Sequence, residues 1–250
     1  RRQRQMCIRD SFDMEDIRDR IEEFTPYVMV AIQEVERMNK LLAEIKRSLA
    51  ELDLGLKGDL TMSEPMEALM FALADDKVPP GWMKVAYPTL RPLGSWLINM
   101  LGRVNQLAEW TADMSLPKVT WLSALFNPQS FLTAVMQTTA RRNDWPLDKT
   151  VIITDVTKKQ VDQIEGPARD GAYISGLTLE GARWDEKAGN LEDSNPKELF
   201  CPMPVIQVKA VTVDKSEVRD AYQCPVYTTE IRFRQEVFTA QLKSKHGEIK

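Results

Sequence analysis

Gly171 to Asp185, GAYISGLTLEGARWD, is the stretch whose reading decides the fold. It carries Tyr173, Ile174, Leu177, Leu179 and Trp184, with glycines at 171, 176 and 181. Its fifteen residues exceed an ordinary strand, and glycine inside a strand marks a bulge or a close backbone approach. The spacing predicts one bent strand over Ala172 to Asp185. It opens at the Asp170-Gly171 turn and closes at a turn over Glu186 to Asn190.

Working outward toward the start, the pattern is helical. Asp13 is placed to cap a short helix running to Phe24, with Glu15 and Asp16 favouring the positive end of its dipole. Ala31, Val35, Met38, Leu42, Ile45, Leu49, Leu52 and Leu56 then alternate spacings of four and three. That seam predicts a helix of about thirty residues, stopped by Gly55 and Gly58. The seam could serve a coiled coil. Its flanks carry no complementary charge pattern, and Leu41 widens the stripe as packing in a helical layer requires.

Ser63-Glu64-Pro65-Met66-Glu67 opens the next helix with a capping residue, an early proline and two first-turn acids. Leu93, Leu97, Met100, Val104 and Leu107 repeat the four-three spacing, with Trp96 and Trp110 on adjoining flanks. Asn127-Pro128 caps and starts a helix through Phe131, Leu132, Val135 and Met136 to about Arg142.

After Trp145-Pro146 the period becomes extended. Val151 to Ile153 is a short buried run, and Val205 to Val213 alternates in period two. Tyr222 to Tyr227 and Glu236 to Leu242 are further strands, with Pro225 at an edge or a bulge. Helices segregated ahead of strands predict an α+β fold. The expected architecture is a helical layer with one long helix, followed by a small, partly open antiparallel β-barrel.

The 250 residues hold 33 Lys+Arg against 37 Asp+Glu, a net charge of −4. No basic surplus points to nucleic acid. The longest apolar runs are about five residues, far short of a membrane span. No leader pattern opens the stretch, and Cys7, Cys201 and Cys224 form no CxxC pair, which fits a reducing interior. The abrupt start at Arg1 and stop at Lys250 are what a piece of a longer polypeptide would show.

A search for chemistry returns little. There is no GxxxxGK[ST] and no GxGxxG, and His246 is the only histidine. Glu180, Arg183 and Asp185 are the constellation with acid–base potential, and a hydrolase built on Glu180 and Asp185 is one reading. Residues 180 and 185 point to opposite faces of a regular strand, so only a bulge at Gly181 would bring them together. Arg183 and Asp185 share a face, and a cross-strand ion pair is the simpler use. The six tryptophans, 82, 96, 110, 121, 145 and 184, are expected in cores or docking surfaces.

Several segments together resemble the C-terminal domain of dynein heavy chains. They are QEVERMNKLL from Gln33, YPTLRPLGSW from Tyr87, WLSALFNPQSFLTAVMQ from Trp121, Ala140-Arg141, DGAYISGLTLEGARWD from Asp170, MPVIQVKAV from Met203 and CPVY from Cys224. They stand in the family's order, and the wording around Tyr27 to Asn39 is closer to axonemal outer-arm chains than to cytoplasmic ones. The resemblance implies a non-catalytic domain that follows the sixth AAA+ module of a motor ring, lies on that ring and modulates an ATP-driven, minus-end-directed microtubule motor. Residues 1–25 would end the sixth module, 26–143 would be the helical part and 144–250 the β part.

No cofactor is expected in this stretch, since ATP and Mg belong to upstream modules of the parent protein. The implied partners are the AAA+ ring of the same polypeptide, microtubules, and other dynein heavy, intermediate and light chains, with no nucleic acid and no membrane. The implied location is the cytoplasmic cytoskeleton and the axoneme of a cilium or flagellum. Residues expected to define the fold or dock are Trp96, Trp121, Phe126, Asn127, Gly171, Gly176, Gly181, Arg183 and Trp184. Family members continue into a further strand with a Trp, whereas this sequence stops after LKSKHGEIK, which leaves barrel closure open. A free-standing, self-associating coiled-coil scaffold is the competing reading.

Overall fold

The computed structural model describes residues 11–216, 221–228 and 236–244. Cys7, His246, the first residues of the sequence and its stop at Lys250 lie outside them. The described residues divide into two compact units, one made of those up to 22 with 31–114, the other of 23–30 with those from 115 onward.

The first unit is helical. Asp13 caps α1 (Met14–Asp19), its carboxylate accepting from the Glu15 and Asp16 amides at 3.0 and 3.2 Å. The helix is shorter than the expected run to Phe24. The Ile21 amide donates to the Arg18 carbonyl at 3.1 Å, a tighter turn in place of the next α-helical bond. The long helix α2 (Pro26–Lys57), which belongs to this unit from Ala31 onward and to the second unit before it, has 32 residues, roughly 48 Å of rise. It stops as expected: Gly58 takes φ +83°, and the Gly58 and Asp59 amides donate back to the Gly55 and Leu54 carbonyls at 3.1 and 3.0 Å.

Six of the eight seam residues are buried, Ala31, Val35, Met38, Leu42, Ile45 and Leu52, and so is Leu41. Only Leu49 and Leu56 remain exposed, too little for a coiled-coil partner. The helices α3 (Glu64–Ala74), α4 (Pro80–Met83) and α5 (Leu93–Asp113) complete this unit. Met114, at φ +56°, ends α5 in the left-handed conformation.

The second unit carries the strands. They are β1 (Thr120–Trp121), β2 (Thr150–Val156), β3 (Ala172–Ser175), β4 (Thr178–Glu180), β5 (Ala182–Asp185), β6 (Asn190–Asp193), β7 (Phe200–Pro202), β8 (Ile206–Thr212), β9 (Ala221–Tyr227) and β10 (Glu236–Lys243). Helix α6 (Pro128–Asn143) starts at Asn127, whose side chain accepts from the Ser130 amide at 3.3 Å, and packs on β8 and β2. One sheet has the order β1-β3-β8-β2, with β1 and β3 parallel and the other pairs antiparallel. On β8, Ile206, Val208 and Ala210 are buried while Gln207 and Lys209 are not, as period two requires.

Two expectations need correction. The stretch over Ala172 to Asp185 is not one bent strand. Gly176 at φ +83° and Gly181 at φ +70° break it into β3, β4 and β5, which pair with β1 and β8, with β7, and with β6 respectively. Left-handed backbone cannot continue a ladder, so each glycine redirects the backbone to a new partner. Nor do the described strands close into a barrel: they form the four-stranded sheet and three two-stranded pairs, β9-β10, β4-β7 and β5-β6.

Where β2 and β10 meet, side chains replace the ladder. The Thr154 amide donates to Gln241 Oε1 at 2.8 Å, and the Gln241 amide donates to Thr154 Oγ1 at 2.7 Å. A second small core of Leu179, Trp184, Leu191, Ala240 and Leu242 lies among the two-stranded pairs. Pro225 sits on β9, which pairs with β10 alone among the described residues, the edge position proline requires.

Candidate functional site

The residues expected to define the fold fall into three clusters. The first joins Trp121 to the glycine-spaced stretch. Parallel pairing sets Thr120 beside Ile174 and Trp121 beside Ser175, which delivers Gly176 to the indole. A Cβ on Gly176 would overlap the Trp121 ring and stand 2.7 Å from Ser123 Oγ. Gly171, at φ +71°, is similarly committed: a Cβ there would overlap the Val208 carbonyl oxygen and stand 2.9 Å from its carbon. Gly181 differs. Nothing lies within 4 Å of its would-be Cβ, and only its φ calls for glycine. Phe126 is half-buried just ahead of the Asn127 cap.

The second cluster is the β5-β6 hairpin. Arg183 faces Glu192 in register and pairs with it at 2.6 Å. Asp185 turns the hairpin instead: its carboxylate accepts from the Lys187 and Ala188 amides at 2.8 and 3.2 Å, and its carbonyl accepts from Gly189 at 2.7 Å. Glu180 is on β4, on the far side of the Gly181 break. The arginine and the aspartate thus serve a cross-strand pair and a turn. Trp184, buried to 9% exposure, points into the second core.

The third cluster surrounds Trp96 in the helical unit. Trp96 is wholly buried, stacked between Trp82 and Tyr87 with centroids 5.9 Å from each. The Trp82 indole donates to Ser48 Oγ on α2 at 2.8 Å, tying α4 to the long helix. Arg103 lies over the Tyr87 ring, 3.4 Å from its centroid, and donates to Asn99 Oδ1 at 2.8 Å. Burial lowers Arg103 to about 10, opposed by Tyr87 and by the buried Glu34 carboxylate. Burial likewise pushes Tyr87 up to about 12, with Arg103 pulling the other way. In the second unit burial raises Tyr27 to about 12, against the pull of Arg142.

Arg103 and Glu192 were not singled out from sequence, and Tyr87 entered only as the first residue of the YPTLRPLGSW segment. Arg103 did leave a signal: it stands seven residues from both Trp96 and Trp110, a charge on an apolar helix face. Glu192 left none, because its pairing depends on a hairpin turn.

The groove at the end of α6, about 540 Å³, is lined by Gln137, Ala140, Arg141, Asp144, Trp145, Pro146 and Leu147. None of the residues named in the three clusters lines it. Among the described residues no group of three or more His, Cys, Asp or Glu could hold a metal, and no helix is long and apolar enough to cross a membrane.

Comparison with known proteins gives a consistent picture. The family model for the C-terminal domain of the dynein heavy chain matches residues 3–249. The dynein beta chain of the flagellar outer arm of Chlamydomonas reinhardtii is 73% identical over 244 residues, 96% of this sequence and 5% of that protein. The ciliary dynein beta chain of Heliocidaris crassispina is 51% identical over 241 residues, again 96% of this sequence and 5% of the relative. Human dynein axonemal heavy chain 9 is 47% identical over 243 residues, 97% and 5% of the two proteins. The protein described here therefore spans only 5% of the length of these relatives.

Proposed function

This protein belongs to the family of C-terminal domains of dynein heavy chains, and on that premise we propose that it is the regulatory and structural C-terminal domain of an axonemal, outer-arm type heavy chain. The observation that carries this reading is the high identity to a flagellar outer-arm beta chain, sustained along nearly the whole sequence. In this reading the domain docks on the AAA+ ring of its own polypeptide and modulates ATP turnover. The parent motor moves toward microtubule minus ends and drives cilia or flagella.

ATP and magnesium bind in upstream modules, and this stretch supplies no residue to them. Residues 1–25 end the sixth module, 26–143 form the helical part and 144–250 the β part. The other heavy, intermediate and light chains of the motor are its assembly partners, and the axoneme is its place.

Two features support docking over catalysis. Arg183 and Asp185 are engaged in the hairpin. The helical unit also exposes Leu56 at 64%, Phe71 at 62%, Leu90 at 76% and Ile98 at 71%, apolar side chains that docking would cover.

An antibody to this stretch, used on axonemes extracted with high salt, tests the reading. A released polypeptide far longer than 250 residues is expected. A band no larger than 250 residues would overturn it. Removing the domain from the motor should change microtubule-stimulated ATPase rate or gliding velocity; unchanged values for both would remove the regulatory part.

A further inference from the structure

We propose that residues 12–20 form a detachable strap, held on the helical unit by two polar latches, which opens as one piece while α2 and α5 stay folded. The first latch is Asn39 on α2. Its Oδ1 accepts from the Phe12 amide at 2.8 Å and its Nδ2 donates to the Phe12 carbonyl at 2.8 Å. One side-chain amide thus satisfies both polar groups of one backbone residue, as a neighbouring strand would. Asparagine competes with its own helix for hydrogen bonds, so a position in the middle of α2 is unfavourable without such a purpose.

The second latch is Arg20. Its Nη1 donates to the Thr111 and Ala112 carbonyls at 3.2 and 3.3 Å, in the last turn of α5. Those carbonyls lack partners within the helix and stand at the negative end of its dipole. Asp16 holds the guanidinium in place: its carboxylate accepts from Nη2 and its carbonyl from Nε. The exposed Arg18–Glu36 pair at 3.1 Å adds little.

Between the latches the strap has few means of staying down. A helix of six residues is too short to persist unaided. Phe12 and Ile17 are its only buried side chains. The helices beneath are secured otherwise, through Val35, Met38 and Leu42 on α2 and Trp96, Met100 and Trp110 on α5, each within 1% of full burial. A segment with little apolar burial, attached to a well-packed layer, opens at the low end of the stability range. Its release would bare the C-terminal carbonyls of α5 and the amide of Asn39, which makes it a two-state element on the surface of the unit.

Hydrogen exchange read by mass spectrometry on the whole protein tests this, comparing wild type with Asn39→Ala, Arg20→Gln and the exposed control Glu36→Gln. In the first two variants the amides of residues 12 and 17–21 should exchange roughly five- to tenfold faster. Those of 35–45 and 96–110 should be unchanged, and Glu36→Gln should resemble wild type. Acceleration of α2 and α5 together with the strap would make it an integral part of the layer and overturn the proposal. Unchanged strap protection in both latch variants would overturn it equally. Should Asn39→Ala not fold, the proposal fails on that ground, because a detachable strap cannot be essential to the layer.

Discussion

Gly176 and Trp121 are in contact that leaves no room for a side chain on the glycine. The parallel β1-β3 pair seats Trp121 opposite Ser175, and the next residue turns into φ +83° directly under the indole. Two requirements coincide there, left-handed backbone and a missing Cβ.

Gly176→Ala should therefore meet both penalties. Left-handed strain and overpacking together should destabilise the second unit by about 2–4 kcal/mol. Gly181→Ala meets only the strain, since its surroundings are open, and should cost about 1–2 kcal/mol. Urea unfolding of the two variants checks the ordering; equal losses would show that the indole yields.

Trp184→Ala should remove about 3–5 kcal/mol by emptying the centre of the Leu179, Leu191, Ala240 and Leu242 cluster. A cooperative melt of the β-rich unit at the wild-type temperature would contradict this.

Arg183 and Glu192 make a short contact, but the Arg183 side chain is 40% exposed. A double-mutant cycle should therefore return a coupling of only about 0.2–1 kcal/mol. A coupling of several kcal/mol would reveal a buried network that the hairpin alone does not explain.

Alkali should act unequally on the two units. Tyr27 stays protonated to about 12 in the fold, against 10 when free. Its stabilisation is complete below pH 10 and is lost as the pH climbs to 12. Burial raises the Cys224 thiol as well, with the same sign, so the second unit should weaken above pH 9. In the helical unit Tyr87 loses stability over the same window, whereas Arg103, lowered to about 10 from 12.5, costs stability below 10 and regains it as the pH rises. These two oppose. Circular dichroism melts between pH 9 and 12 should show strand signal lost before helix signal, with Tyr27→Phe delaying the loss. Helix signal lost first would refute this.

Local chemistry was legible in the sequence and remote partnership was not. Asp13, Asn127 and Gly58 act where their spacing placed them, because caps and stops are settled within one helical turn. The seam from Ala31 to Leu56 marks a helix, as its spacing predicts, although Leu49 and Leu56 stay exposed. The three glycines were seen, but whether each bends a strand or ends it depends on φ and on what waits on the other side. β7, β8 and β6 supply those partners, and the short β6 and β7 carry too little pattern to announce themselves. The site residues divide likewise: Trp96 and Trp184 declared their burial by size, while Glu192 and the Thr154–Gln241 exchange exist only once distant segments have folded.

Thr154 and Gln241 lie 87 residues apart in sequence. During synthesis β2 emerges long before β10, so its outer edge must wait, with the Thr154 amide in water, until residue 241 leaves the ribosome. The helical unit, complete by Met114, faces no such delay. Loop closure over that distance is slow, and the β-rich unit is therefore the later of the two to close.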